Sequence, residues 1–170
     1  MLTFGIRSRF CMEIGPLDPD HPTAGLRRVD IWAADRWLTC DDNSVYLPSF
    51  TASVANSLGH LLTNPENLIC HRPYAEVSVA DNLRRMLAAA EAGNNSRYLS
   101  YRFMDWGPTT DNVSAVLFRE NDVAFMPFSF WRESHHESSE LGQVFVAELP
   151  ERELLWVLHC TAWALAIGRI

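Results

Sequence analysis

The chain has 170 residues, 48% of them hydrophobic and 21% charged, a balance that excludes the disordered class and suits one domain over residues 1–170. Its net charge of −7 comes from 21 acidic residues against 14 basic ones. The basic residues are all arginine and scattered, so no stripe exists to neutralise phosphates, which argues against direct nucleic-acid binding and favours a basic partner.

Met1 to Phe10, MLTFGIRSRF, lacks the apolar run and small-residue cleavage site of a signal peptide. Thr3 to Ile14 alternates and predicts a strand, followed by a proline-rich loop from Leu17 to Gly25. Leu26 to Leu38 predicts a strand, a tight turn near Ala34-Asp35 and a second strand. TCDDN, residues 39–43, is turn chemistry, because Asp and Asn side chains bond their own backbone.

Phe50, Val54, Leu58, Leu61 and Leu62 fall at helical spacing, with Ser49 as cap and Asn64-Pro65 as stop. A second helix starts at Ser78, carries Val79, Leu83, Met86 and Leu87 on one stripe, and ends at Gly93-Asn94-Asn95. Strands are predicted over Tyr98–Trp106, Asn112–Phe118, Val123–Phe130 and Gln143–Leu149, with Glu120 to Val123 (ENDV) as a hairpin connection. Pro150 opens a last helix, Glu151 to Ile167. Leu154 to Gly168 is nearly uncharged but falls short of the roughly 20 residues that span a bilayer. The expected architecture is α+β, an antiparallel β-sheet with about three helices packed mainly on one face, without membrane contact and located in the cytoplasm.

Cys11, Cys40, Cys70 and Cys160 are far apart, with no CxxC. Structural zinc usually draws on ligands paired at short spacing, so neither a metal nor another cofactor is expected. An even count permits two disulfides, but Cys160 in an apolar helical run and Cys11 in a strand read as buried free thiols. His159, Trp156 and Trp163 in the last helix read as core or boundary residues.

Three stretches carry the residues that could act. SFWRESHHE, residues 129–137, packs Trp131, Glu133, His135, His136 and Glu137 into one segment. Neighbouring residues on a strand point to opposite faces, so His135 and His136 do not readily share one metal, and no helical HExxH is present. The segment reads as a solvated loop or a partner-binding loop before it reads as a metal or acid/base site. DWGPTTDN, residues 105–112, reads as a stiff turn or as an acidic interface loop with Trp106 as aromatic anchor. TCDDN reads as a solvated turn or as a contact for a cationic partner. Trp37 precedes Asp42-Asn43 at the same spacing as Trp106 precedes Asp111-Asn112, an echo too short to define a repeat. Phosphate loops and nucleophile elbows are both missing from the sequence.

FGIRSRFCMEI, IWAADRWLTCDDN, RFMDWGPTTDNVSAVLF, FWRESHHE and VFVAELP resemble a predicted immunity-protein family of bacterial polymorphic-toxin systems, the one numbered forty-two. The resemblance runs from Phe4 to about Leu158. It implies a cytoplasmic protein, with no catalytic residues, that binds and neutralises one cognate toxin C-terminal domain. Family stretches rich in acidic and aromatic residues correspond here to Asp41, Asp42, Asn43, Asp105, Trp106, Asp111, Asn112 and Trp131. A compact acidic domain would suit occlusion of a basic, nuclease-like toxin. Competing readings are a small hydrolase using His135 or His136 with Glu133 or Glu137, and a small-molecule sensor with a tryptophan-lined pocket.

Overall fold

The strands of the chain divide between two antiparallel sheets in the computed structural model, which describes residues 1–17, 25–63 and 72–167. The expected loop prolines, the Asn64-Pro65 stop and Cys70 lie outside these residues. The first sheet is built from β1 (Leu2–Ile6), β2 (Phe10–Leu17), β3 (Leu26–Ala33), β4 (Arg36–Trp37) and β5 (Ser44–Tyr46). β3 pairs along one side with β2, and along the other with β4 near its end and β5 near its start. The single strand expected over Thr3–Ile14 is therefore two strands joined by a tight turn. Gly5, at φ +92°, takes a backbone conformation that an L side chain rarely adopts.

The second sheet centres on β8 (Val123–Phe130). β6 (Val113–Ala115) and β7 (Phe118–Glu120) share one side of it and β9 (Phe145–Pro150) takes the other. The predicted Asn112–Phe118 strand thus breaks in two around Val116 and Leu117: the Val116 N–H still bonds the Pro127 carbonyl of β8 at 3.2 Å, but the Leu117 N–H turns to the Tyr101 carbonyl at 3.1 Å. Both predicted tight turns form, with Ala34-Asp35 and Asn121-Asp122 all at positive φ, the geometry that matches strand twist in a two-residue hairpin.

The helices are α1 (Leu47–Thr63), α2 (Val79–Glu91), α3 (Ser96–Tyr101) and α4 (Glu151–Ile167). The class is α+β. α2 starts where Ser78 Oγ accepts the Asp81 N–H at 3.1 Å, with Asp81 in its first turn. Ser49 does not cap α1; its hydroxyl donates to the Tyr46 carbonyl at 3.2 Å, and the helix already begins at Leu47. The strand expected over Tyr98–Trp106 is also wrong. Residues 96–101 close one short helix instead, which lets Tyr101 meet Phe118 edge-on at 5.6 Å.

α4 packs on α1, on β1 and β2 of the first sheet and on β8 and β9 of the second, so the main core lies where both sheets meet this helix. A smaller cluster of Leu83, Met86, Val116 and Phe118 sits beneath α2. Trp156 and Trp163 are 52% and 60% exposed and His159 is exposed as well, contrary to the core or boundary role expected of them. No helix among the described residues is long and apolar enough to cross a membrane. Cys11, Cys40 and Cys160 are free thiols, Cys11 fully buried and the other two partly so.

Candidate functional site

Three turns separated widely in sequence meet at one point. The 39–43 turn leaves the first sheet after β4, the 105–112 segment precedes β6, and the 131–140 loop follows β8. Their junction is polar, with His135 buried, Cys40 partly buried and Asp41 reaching solvent. The His135 side chain is 1% exposed and its ring stacks on Phe130 at 4.0 Å, which the solvated-loop expectation did not foresee.

The His135 imidazole is engaged on both sides. Nδ1 lies 2.9 Å from Asn112 Nδ2, 3.3 Å from Asp41 Oδ2 and 3.6 Å from Cys40 Sγ. Nε2 lies 3.4 Å from Glu140 Oε2. The tautomer protonated at Nε2 satisfies both sides, because Nδ1 then accepts from the Asn112 amide while Nε2–H donates to Glu140. The same Asn112 amide donates to Asp41 Oδ2, and its Oδ1 accepts the Arg132 N–H at 2.9 Å. Asp41 Oδ1 accepts the His136 backbone N–H at 3.0 Å. Asn112 and Asp41 together hold the 131–140 loop against the other two turns.

Exposed groups surround this knot. Asp42, Asp105, Trp131, Glu133, His136 and Glu137 all face solvent. Asp42 caps its own turn by accepting the Ser44 N–H at 2.9 Å. Asp111 pairs loosely with Arg132 at 3.5 Å, and Asp105 pairs with Arg102 at 3.0 Å. Trp131, 58% exposed, overhangs a groove between α2 and β8 that is lined by Leu87, Phe130 and Val144.

Besides His135 and Asn112, two further sequence candidates point inward. Trp106 is 3% exposed, packs edge-on against Phe50 and Phe103, and donates its indole N–H to Ser57 at 2.9 Å. It anchors the core, not a partner. Asn43 donates to buried Asp30 at 2.7 Å, where Trp37 Nε1 also donates and Arg28 pairs at 2.8 Å. Sequence reading missed Cys40 and Glu140 because each partner of His135 lies in another segment or at an unremarkable spacing.

The arrangement does not favour nucleophilic catalysis. Burial, aided by Asp41, pushes the Cys40 thiol up to about 12, the opposite of the activated thiolate a Cys–His pair needs. Of the pairs the hydrolase reading would couple, His135 is buried while Glu133 and Glu137 face solvent, and His136 lies 3.9 Å from Glu137 with both side chains largely exposed.

No protein-family model and no curated protein sequence matches the chain. Its fold resembles a solved one: the crystal structure of CdiI from Burkholderia dolosa AUO158 superposes with a TM-score of 0.65. The match covers 94% of this chain and 97% of that one at 12% identity. At that identity the likeness is one of fold.

Proposed function

We propose that this chain is an immunity protein that binds a cognate toxin domain and neutralises it by covering the toxin's active site. The observation that carries the reading is the convergence of the three turns, held by the Asp41–Asn112–His135 knot, with Asp42, Trp131, Glu133 and Glu137 exposed on them. A rim fixed before binding loses little conformational freedom on docking, so more of the contact energy appears as affinity. Similarity of fold to CdiI, an immunity protein of contact-dependent inhibition, supports the same reading, as do the quoted stretches that resemble an immunity family.

The chemistry favours a basic toxin surface. Asp42, Glu133 and Glu137 lack an arginine within ion-pair distance among the described residues, and the net charge is −7. These carboxylates take the place of substrate phosphates in a cationic, nuclease-like groove, and charge steering speeds encounter. Trp131 supplies the desolvated anchor that slows dissociation.

Surface-captured toxin domain and a salt series test this. Association should slow steeply between low and high salt, and the triple reversal Asp42→Arg, Glu133→Arg, Glu137→Arg should slow it further with an unchanged far-ultraviolet spectrum. Trp131→Ala should act mainly on dissociation. Association indifferent to both salt and charge would remove the phosphate-mimic reading.

A further inference from the structure

We propose that Cys40, Asp41 and His135 form a binding site for one zinc-class divalent cation. The three side chains offer a sulfur, a carboxylate and an imidazole nitrogen whose ligand atoms all lie within 4.8 Å of one another. Two of their separations are close to those of a coordination face. Zn–S near 2.3 Å, Zn–N near 2.0–2.1 Å and Zn–O near 2.0–2.2 Å at tetrahedral angles place neighbouring ligand atoms about 3.4–3.6 Å apart. The observed separations are 3.6 Å from Cys40 Sγ to His135 Nδ1 and 3.3 Å from Nδ1 to Asp41 Oδ2, while Sγ meets the other oxygen of the same carboxylate, Oδ1, at 3.7 Å.

A second feature points the same way. Histidine ligands characteristically donate their other ring N–H to a carboxylate, which fixes the tautomer and raises the basicity of the binding nitrogen. Glu140 stands at 3.4 Å from His135 Nε2 in this position, itself held by Arg36 at 3.1 Å. The imidazole is buried and pinned on Phe130, so Nδ1 is aimed at the thiol and the carboxylate without further ordering. A soft thiolate with imidazole and carboxylate favours zinc over magnesium or calcium, which take all-oxygen sets.

In the cation-free chain the Asn112 amide donates to both Nδ1 and Asp41. The ion competes for those two acceptors, so binding turns this amide away and ties the Cys40–Asp41 turn directly to the 131–140 loop. The site does not rest on the immunity reading, and its test uses the isolated chain without any toxin.

Chelator-treated chain is dialysed against zinc and analysed for metal, then titrated with cobalt(II). One equivalent of zinc per chain is expected, together with a thiolate-to-cobalt charge-transfer band and a melting temperature that rises with zinc. Cys40→Ser should lose the band and the stoichiometric uptake. Glu140→Gln, which keeps all three ligands, should weaken zinc by roughly 10–100-fold with the fold intact by circular dichroism. Absence of stoichiometric uptake, or uptake and cobalt spectra unchanged by Cys40→Ser, would overturn the proposal. If Cys40→Ser fails to fold, the Glu140→Gln affinity decides: no change from the parent chain also overturns it.

Discussion

Asn112 shows how much one side chain organises here. It is 3% exposed, its carbonyl holds the Arg132 backbone N–H, and its amide reaches Asp41 and His135. Truncation leaves the buried His135 Nδ1 without its donor and the partly buried Asp41 carboxylate and Arg132 N–H without this partner. Asn112→Ala should therefore cost roughly 1–3 kcal/mol in urea unfolding, with a loss near zero contradicting the role given to it. Cys11 gives a pH prediction at the same scale. Burial pushes its thiol from 9.0 up to about 11. The folded state holds this proton more tightly than the unfolded one, so the associated stability is complete below pH 9.0 and is lost as pH climbs towards about 11. Melting curves should show a smaller alkaline loss across that window in Cys11→Ala than in the parent chain. The same burial shields the thiol, so iodoacetamide at neutral pH should leave Cys11 unmodified in the native protein.

Turns and caps decide which elements the sequence announces. Gly5 sits at φ +92° in β1, where an added Cβ would lie 2.1 Å from the Phe10 carbonyl oxygen. Gly5→Ala must shift the backbone of the β1–β2 pair, at a cost of about 1–3 kcal/mol, and an unaltered unfolding midpoint would contradict this register. The helix over Val79–Glu91 was legible because Ser78, Asp81 and a regular apolar stripe all agree. The two hairpins were legible from short polar turns between alternating runs. Residues 98–106 were not, because Tyr98 and Tyr101 fit either period over so short a window, and contact with Phe118 selected the helix. The site was half legible for a related reason. Each of the three turns stands out locally, yet the pairing of Asp41 with His135 spans 94 residues, and nothing in local chemistry reveals which turn meets which. Buried Trp106 and inward-facing Asn43 were mistaken for surface groups on the same ground, since residue type alone does not give direction.

At the level of the whole molecule, two sheets meet on α4 and leave the three turns gathered at their junction. The molecule is acidic and exposes Asp42, Glu133, Glu137 and the Trp131 indole around the junction, while the Cys40–His135 pair, its partly buried thiol pushed up to about 12, is poorly suited to attack a substrate. In the proposed function such a surface acts by shape and charge, and the likeness to CdiI from Burkholderia dolosa AUO158 is one of fold. The most direct measurement is growth of cells that express a toxin domain encoded beside this chain, with and without the chain. Full rescue by the parent protein, and rescue lost in the triple reversal at Asp42, Glu133 and Glu137 while the variant remains folded and abundant, is the predicted result. Continued killing in the presence of abundant, folded parent protein would contradict the account.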